Sequence, residues 1–254
     1  MRIREISSRD NPRFKDFLRL LGGQPLKKHR FSLLSGPKQV AEVLNEFRDR
    51  CEALVFSRAH SLPVPQVIEG YCLSAELFRE VDVYNTKQPI LLVRAEPLPE
   101  WHHSQSAQGC TLFVPFQDPA NVGAVIRSAA AFGVSRVVIL KEGAHPFHHK
   151  SIKVAGSAVF RLPLLAGPSI QDLGSEPIPI ITLSPGGQDI TEYDFPPIFG
   201  LVPGMEGPGI PSKLEGLPTL SIPMMSGVES LNAALATGIA LFVWRSKMIF
   251  SIPS

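Results

Sequence analysis

Two stretches near the carboxyl end decide the fold: FGLVPGMEGPGIP (Phe199–Pro211) and TLSIPMMSGVESLN (Thr219–Asn232). Each begins as an apolar, strand-like run, Ile198–Pro203 and Thr219–Met224, and each breaks into a polar, glycine-bearing loop. The first loop is Gly204-Met205-Glu206-Gly207-Pro208-Gly209, and three glycines in six positions let backbone run close to a bound molecule. The second runs from Met225 to Glu229, where Ser226-x-x-Glu229 has capping-box spacing and predicts a helix beginning there. Strand, loop, strand, loop, helix is how an open α/β sheet builds a ligand site beyond its strand ends. Either loop alone is equally an ordinary turn. The lone acid Glu206 and the pair Ser230/Asn232 at the helix start favour a site.

Upstream, Thr111–Phe116 reads as a strand, and Asp118-Pro119 starts a helix with Asp at the N-cap and Pro in the first turn. Val122, Val125, Ile126, Ala129 and Phe132 form its buried face, Gly133 ends it, and Arg136–Leu140 is the next strand, completing a βαβ unit. Asn121 and Arg127 fall off the apolar face; by itself Arg127 reads as a surface arginine. Lys150–Ser157 has helical character, Ile178–Leu183 reads as a buried strand, and Ser230–Lys247 is apolar all round, which predicts a largely buried helix.

The amino-terminal half alternates strands and helices. The run RFKDFLRLL predicts a helix with Phe14, Phe17, Leu18 and Leu21 on one face, closed by Gly22-Gly23. A strand at His29–Gly36, a helix at Lys38–Phe47, a strand at Ala53–Phe56, a helix at Ser74–Glu80 and a strand at Ile90–Arg94 make a small α/β sandwich. The expected organisation is a small domain over 1–96, a Pro/Ser/Gln/His linker over 97–109, and a second α/β domain over 110–254.

The 254 residues carry a formal charge of only +2, distributed unevenly. Residues 1–30 hold nine Lys/Arg against three acids, a net of +6, whereas residues 101–254 come to −1. A basic arm on a near-neutral body suits a polyanion; a solvated helix face is the other reading. Cys51, Cys72 and Cys110 are odd in number and far apart, giving neither a disulfide framework nor a zinc site. The histidine clusters His102-His103 and His145/His148/His149 have no carboxylate or cysteine at ligand spacing, so no metal is expected. No signal peptide or bilayer-length apolar run stands out, which points to the cytoplasm.

The two loops resemble the second and third motifs of the SpoU (TrmH-type) RNA 2′-O-ribose methyltransferases of the SPOUT class. The first motif is present as Asp118-Pro119-Ala120-Asn121-Val122-Gly123-Ala124-Val125-Ile126-Arg127-Ser128-Ala129, in family order, and the likeness spans roughly residues 111–247. Lys150–Pro163 resembles a secondary family phrase. Lys28-His29-Arg30-Phe31 followed by Ser35-Gly36-Pro37 resembles the amino-terminal domain that many of these enzymes share with RNA-binding ribosomal proteins. The resemblance implies S-adenosylmethionine held in a trefoil knot over a mostly parallel sheet with helices on both faces. Thr182, Leu183, Gly204, Ile222, Met224 and Leu231 would lie against the donor, and Asn121, Arg127, Glu206, Ser230 and Asn232 would serve catalysis. It also implies a homodimer through the carboxyl-terminal domain and an RNA substrate, ribosomal RNA before tRNA.

Ribose methylation needs the methyl in line with the oxygen, a hydroxyl that loses its proton, and a gripped RNA. Positioning alone is worth about 7–11 kcal/mol. The family account makes Arg127 the base. Arginine keeps its proton with a pKa above about 12, so a cation that orients phosphate and lowers the hydroxyl pKa is physically easier. The Ala-Ala-Leu-Ala after Asn232 departs from the family's usual Val-Ser-Val-Ala, a change of packing. A dehydrogenase would need G-x-G-x-x-G, which Asp118–Gly123 lacks. A non-catalytic RNA-binding or ribosome-assembly protein would be expected to lose Arg127, Asn232 or the Gly204 loop, and all are present.

Overall fold

The computed structural model describes residues 2–22, 30–59, 68–102, 108–174, 176–205 and 209–250. Glu206, Gly207 and Pro208, together with Gly23, Lys27, Lys28, His29 and His103, lie outside the described residues. Contacts divide the chain into two units, Met1–Pro97 with Phe147–Ser157, and Leu98–Pro146 with Ala158–Ser254.

The first unit runs β1 (Ile3–Ile6), α1 (Pro12–Leu21), β2 (Phe31–Leu34), α2 (Pro37–Glu46), β3 (Cys51–Ser57), β4 (Glu69–Leu73), α3 (Ala75–Val81) and β5 (Ile90–Arg94). Its sheet has the order β1-β4-β3-β5-β2; β1, β4 and β3 are parallel, and β5 is antiparallel to both β3 and β2. Asn11 caps α1 by accepting the Arg13 N–H at 2.9 Å, and Ser74 caps α3. The core joins Phe14, Phe17 and Leu20 of α1 to Val55, Tyr71, Leu73, Phe78 and Leu92. Leu20 replaces Leu18 on the expected face of α1: Leu18 is 37% exposed, and the buried stripe of Phe14, Phe17 and Leu20, with Leu21 partly buried beside it, is turned toward Leu20. Among the described residues, four cations of the basic arm are paired with acids. Arg4 bonds Glu69, Arg9 bonds Glu80, Lys15 bonds Asp10 and Arg19 bonds Asp16.

The second unit contributes β6 (Gly109–Val114), α4 (Pro119–Phe132) and β7 (Arg136–Ile139). The chain then forms α5 (His149–Ala155), which groups with the first unit, and a 3-10 turn over Gly156–Phe160. It returns as β8 (Leu164–Ala166), β9 (Ile180–Asp189), β10 (Ile198–Pro203), β11 (Thr219–Ser221) and α6 (Ala233–Phe250). All six strands are parallel, in the order β11-β9-β10-β6-β7-β8. The expected linker begins as part of this unit: Trp101 N–H donates to the Ala166 carbonyl and Ala166 N–H to the Pro99 carbonyl, both at 2.8 Å. One face of the sheet packs Phe113, Val138, Ile180 and Val202 against Ile170, Leu173 and Leu214. α4 is capped by Asp118, which accepts the Ala120 N–H at 2.9 Å, and packs along α6.

α6 departs from expectation twice. It begins at Ala233, seven positions beyond the predicted Ser226 box, and Ala234, Thr237, Ala240, Leu241 and Trp244 are buried while Leu235, Phe242 and Met248 are exposed. The helix is apolar all round, yet the face that carries Leu235 and Phe242 is exposed among the described residues.

Candidate active site in the second unit

Leu183–Gly187 at the end of β9 leaves the ladder with β11, which pairs Thr219 with Thr182 and resumes at Leu220 with Gln188. A side chain at Gly187 would collide with the Thr219 carbonyl oxygen, so β11 passes against bare backbone there. The second loop follows β10. Met205 N–H donates to the Gly209 carbonyl at 2.9 Å and Gly209 N–H to the Met205 carbonyl at 3.1 Å, which pinches the loop at its neck. The third follows β11, from Ile222 to Asn232, and leads into α6.

These loops enclose a cavity of about 430 Å³ beside Leu183–Pro185 of β9 and beyond the carboxyl ends of β10 and β11. Leu183, Ser184 and Pro185 line one side; Pro203, Gly204, Met205 and Gly209 another; Ile222, Met224 and Ser230–Ala233 with Ala236 the rest. Among the described residues no charged side chain lines it. Uncharged walls of this size suit an adenine-bearing sulfonium donor better than a dinucleotide, whose pyrophosphate wants cations or a glycine-rich helix start.

Of the expected donor contacts, Leu183, Gly204, Ile222, Met224 and Leu231 line the cavity. Thr182 does not: it is fully buried, its hydroxyl 2.8 Å from that of Thr219, where it ties β9 to β11. Of the expected catalytic residues, Ser230 and Asn232 line it, and Asn232 Nδ2 donates to Asn121 Oδ1 at 3.2 Å, bringing the start of α4 to the start of α6. Asn232 Oδ1 accepts the Leu235 N–H at 3.0 Å, so Asn232 is the N-cap of α6. That is why the helix starts late: Gly227, at φ +94, ends any helical run from Ser226. Arg127, six positions beyond Asn121 on α4, is exposed, and its side chain makes no hydrogen bond or ion pair among the described residues. Glu206 lies outside them. Sequence reading missed Pro185, Ala233 and Ala236 as lining residues. The signal for the last two was small residues three apart at a helix start.

Residues 111–242, just over half the chain, match the sequence profile of the SpoU rRNA Methylase family. The chain belongs to the SpoU rRNA methylase family. It is 43% identical over 95% of its length to "Ribosomal RNA small subunit methyltransferase G 2" of Syntrophobacter fumaroxidans, and spans 49% of that protein. It is 28% identical to "23S rRNA (guanosine(2553)-2'-O)-methyltransferase RlmP" of Bacillus subtilis, over 96% of this chain and 100% of the relative. Its fold matches an AdoMet-bound rRNA methyltransferase from Sinorhizobium meliloti with a TM-score of 0.77 at 22% identity, covering 97% of this chain and 98% of the other. Mixed α/β architecture with a parallel sheet is therefore common to this SpoU chain and that structure. Among the described residues, no helix is long and apolar enough to cross a membrane, and no cluster of His, Cys, Asp and Glu could hold a metal ion.

Proposed function

We propose that the protein methylates a ribose 2′-hydroxyl in RNA, ribosomal RNA before tRNA, using S-adenosylmethionine. The observation that carries this reading is the cavity at β9, β10 and β11, which no charged side chain lines among the described residues, together with the bond from its lining residue Asn232 to Asn121 on the helix bearing Arg127. When bound, S-adenosylmethionine supplies a methyl group on a positively charged sulfur, which becomes a neutral thioether on transfer. Leu183, Ile222, Met224 and Leu231 would exclude water from it, and Gly204 would let backbone approach. Arg127 would engage the phosphate or ribose and lower the cost of removing the hydroxyl proton. Ser230 and Glu206 would orient the sugar and the guanidinium.

The first unit, residues 1–96 in the main, would hold the RNA. The exposed Leu235, Phe242 and Met248 on α6 support a homodimer through the second unit. Light scattering reading a monomer at every working concentration would remove the dimer. We place the protein in the cytoplasm and take the path of β9 to β11 to be the family's trefoil knot.

Labelled donor, incubated with unmethylated transcripts of 16S and 23S rRNA and with tRNA, tests the whole reading. The expected result is a 2′-O-methyl on one ribosomal nucleotide, lost in Arg127→Ala while donor affinity holds. Methyl on tRNA alone moves the substrate, and RNA binding with no transfer makes this an assembly protein.

A further inference from the structure

Between two groups of lining residues the chain is exposed without interruption, from Pro223 to Ser230. Its centre is a turn closed by Val228 N–H donating to the Met225 carbonyl at 3.3 Å, with Gly227 at φ +94. Turns are ordinarily polar. This one displays two apolar side chains: Met225 is 82% exposed and Val228 is 52% exposed. Both are tethered to the cavity, since Met225 follows the lining residue Met224 and Val228 stands two positions before the lining residue Ser230.

The chemistry of the substrate says what meets this turn. In a nucleotide the base hangs from C1′ and the reacting hydroxyl from C2′, the neighbouring carbon. A 2′-oxygen brought to the cavity mouth therefore brings its own base with it. We propose that Met225 and Val228 form an apolar platform for the base of the methylated nucleotide. The inference rests on the methyltransferase reading and adds how the acceptor is seated. A thioether is polarizable and adapts to an aromatic face. Every base offers such a face, so the platform grips a base without reading its edge. A second copy of the chain fits the turn less well. A stable interface takes about 800 Å² per partner from about 20–30 residues. Two side chains at a turn fall far short, and Leu235 and Phe242 offer a separate apolar face on α6.

The test uses the intact chain, labelled S-adenosylmethionine, and unmethylated 16S and 23S transcripts. Met225→Ser with Val228→Ser should raise the KM for RNA about tenfold, with donor affinity, thermal stability and oligomeric mass unchanged. Met225→Trp should show fluorescence quenched by RNA beyond any change in the native pair Trp101 and Trp244, saturating as RNA binds. An unaltered KM in the double variant, or an unquenched tryptophan, overturns the platform. Lost donor affinity would assign the turn to the donor cavity, and a dimer falling to monomer would assign it to a second copy; either result overturns the proposal. If the unsubstituted protein neither binds donor nor methylates RNA, the site reading fails and takes the platform with it.

Discussion

Asn232 performs two tasks with one amide. Its oxygen caps α6 and its nitrogen holds Asn121, so the two helix starts are set against each other by a single side chain. Losing an N-cap costs about 1 kcal/mol, and Asp caps as well as Asn. Asn232→Ala should therefore lose about 1–2 kcal/mol of stability. Asn232→Asp should keep most of it, because Asn121 can turn its amide to donate instead. Thermal unfolding of both variants decides the matter; equal destabilisation would sink the capping account. Methyl transfer lost in Asn232→Asp at retained stability would give the Asn232 NH2 a part in the reaction. Among the residues that line the cavity, Gly204, Ile222 and Met224 were legible because they follow the apolar runs of β10 and β11. Of the two neighbours Thr182 and Leu183, only the second lines the cavity: successive strand residues face opposite ways, and Thr182 meets Thr219 instead.

The elements with clear period and caps could be read directly, as in β6-α4-β7, where Asp118 and Gly133 mark both helix ends. The charged pattern of Ile3–Ile6 hid β1, and glycine and cysteine hid β4 (Glu69–Leu73). The grouping of α5 depends on tertiary contacts that no local pattern reports. Tyr84 Oη and His149 Nδ1 lie 3.1 Å apart, Lys153 Nζ sits 3.4 Å from the Tyr84 ring centre, and the Ser157 hydroxyl donates to Glu42 at 2.6 Å. Burial, then the neighbouring His148 and Lys150, pulls the His149 imidazole down from 6.5 to about 4. Between those values the unfolded chain binds a proton at His149 that the folded chain refuses. Stability from this site is thus full above about pH 6.5 and falls on acidification, by at most about 1.4 kcal/mol per pH unit. His149→Gln keeps an acceptor for Tyr84 and cannot titrate. Its unfolding midpoint should fall less than that of the parent between about pH 7 and pH 5, and parallel falls would show that His149 is not responsible.

At the scale of the whole molecule, the basic amino-terminal segment is not a free arm. Arg4, Arg9, Lys15 and Arg19 each meet an acid, in exposed pairs that add little stability but reduce the charge a polyanion would meet. The sequence count of +6 could not anticipate Glu69 and Glu80 folding back onto the segment. Arg30 and Lys38, on either side of β2, are exposed and make no ion pair among the described residues. If the first unit holds RNA, these two cations should count for more than the paired ones. Deleting residues 1–95 is a poor test, because it also strips α5 of Tyr84 and Glu42. Neutralising charge leaves the fold alone. Arg30→Gln with Lys38→Gln should weaken RNA binding and flatten its dependence on salt. Each lost phosphate contact should reduce the slope of log K against log salt by about 0.7–0.9. Arg9→Gln, which removes a cation already paired with Glu80, should change the slope much less. Donor affinity should be indifferent to all three substitutions, since among the described residues the donor cavity is lined only by the second unit. Filter binding of a 23S transcript at several salt concentrations measures the slopes. If the double variant keeps the parental slope, or if Arg9→Gln lowers it as much, then RNA contact is made elsewhere than around β2.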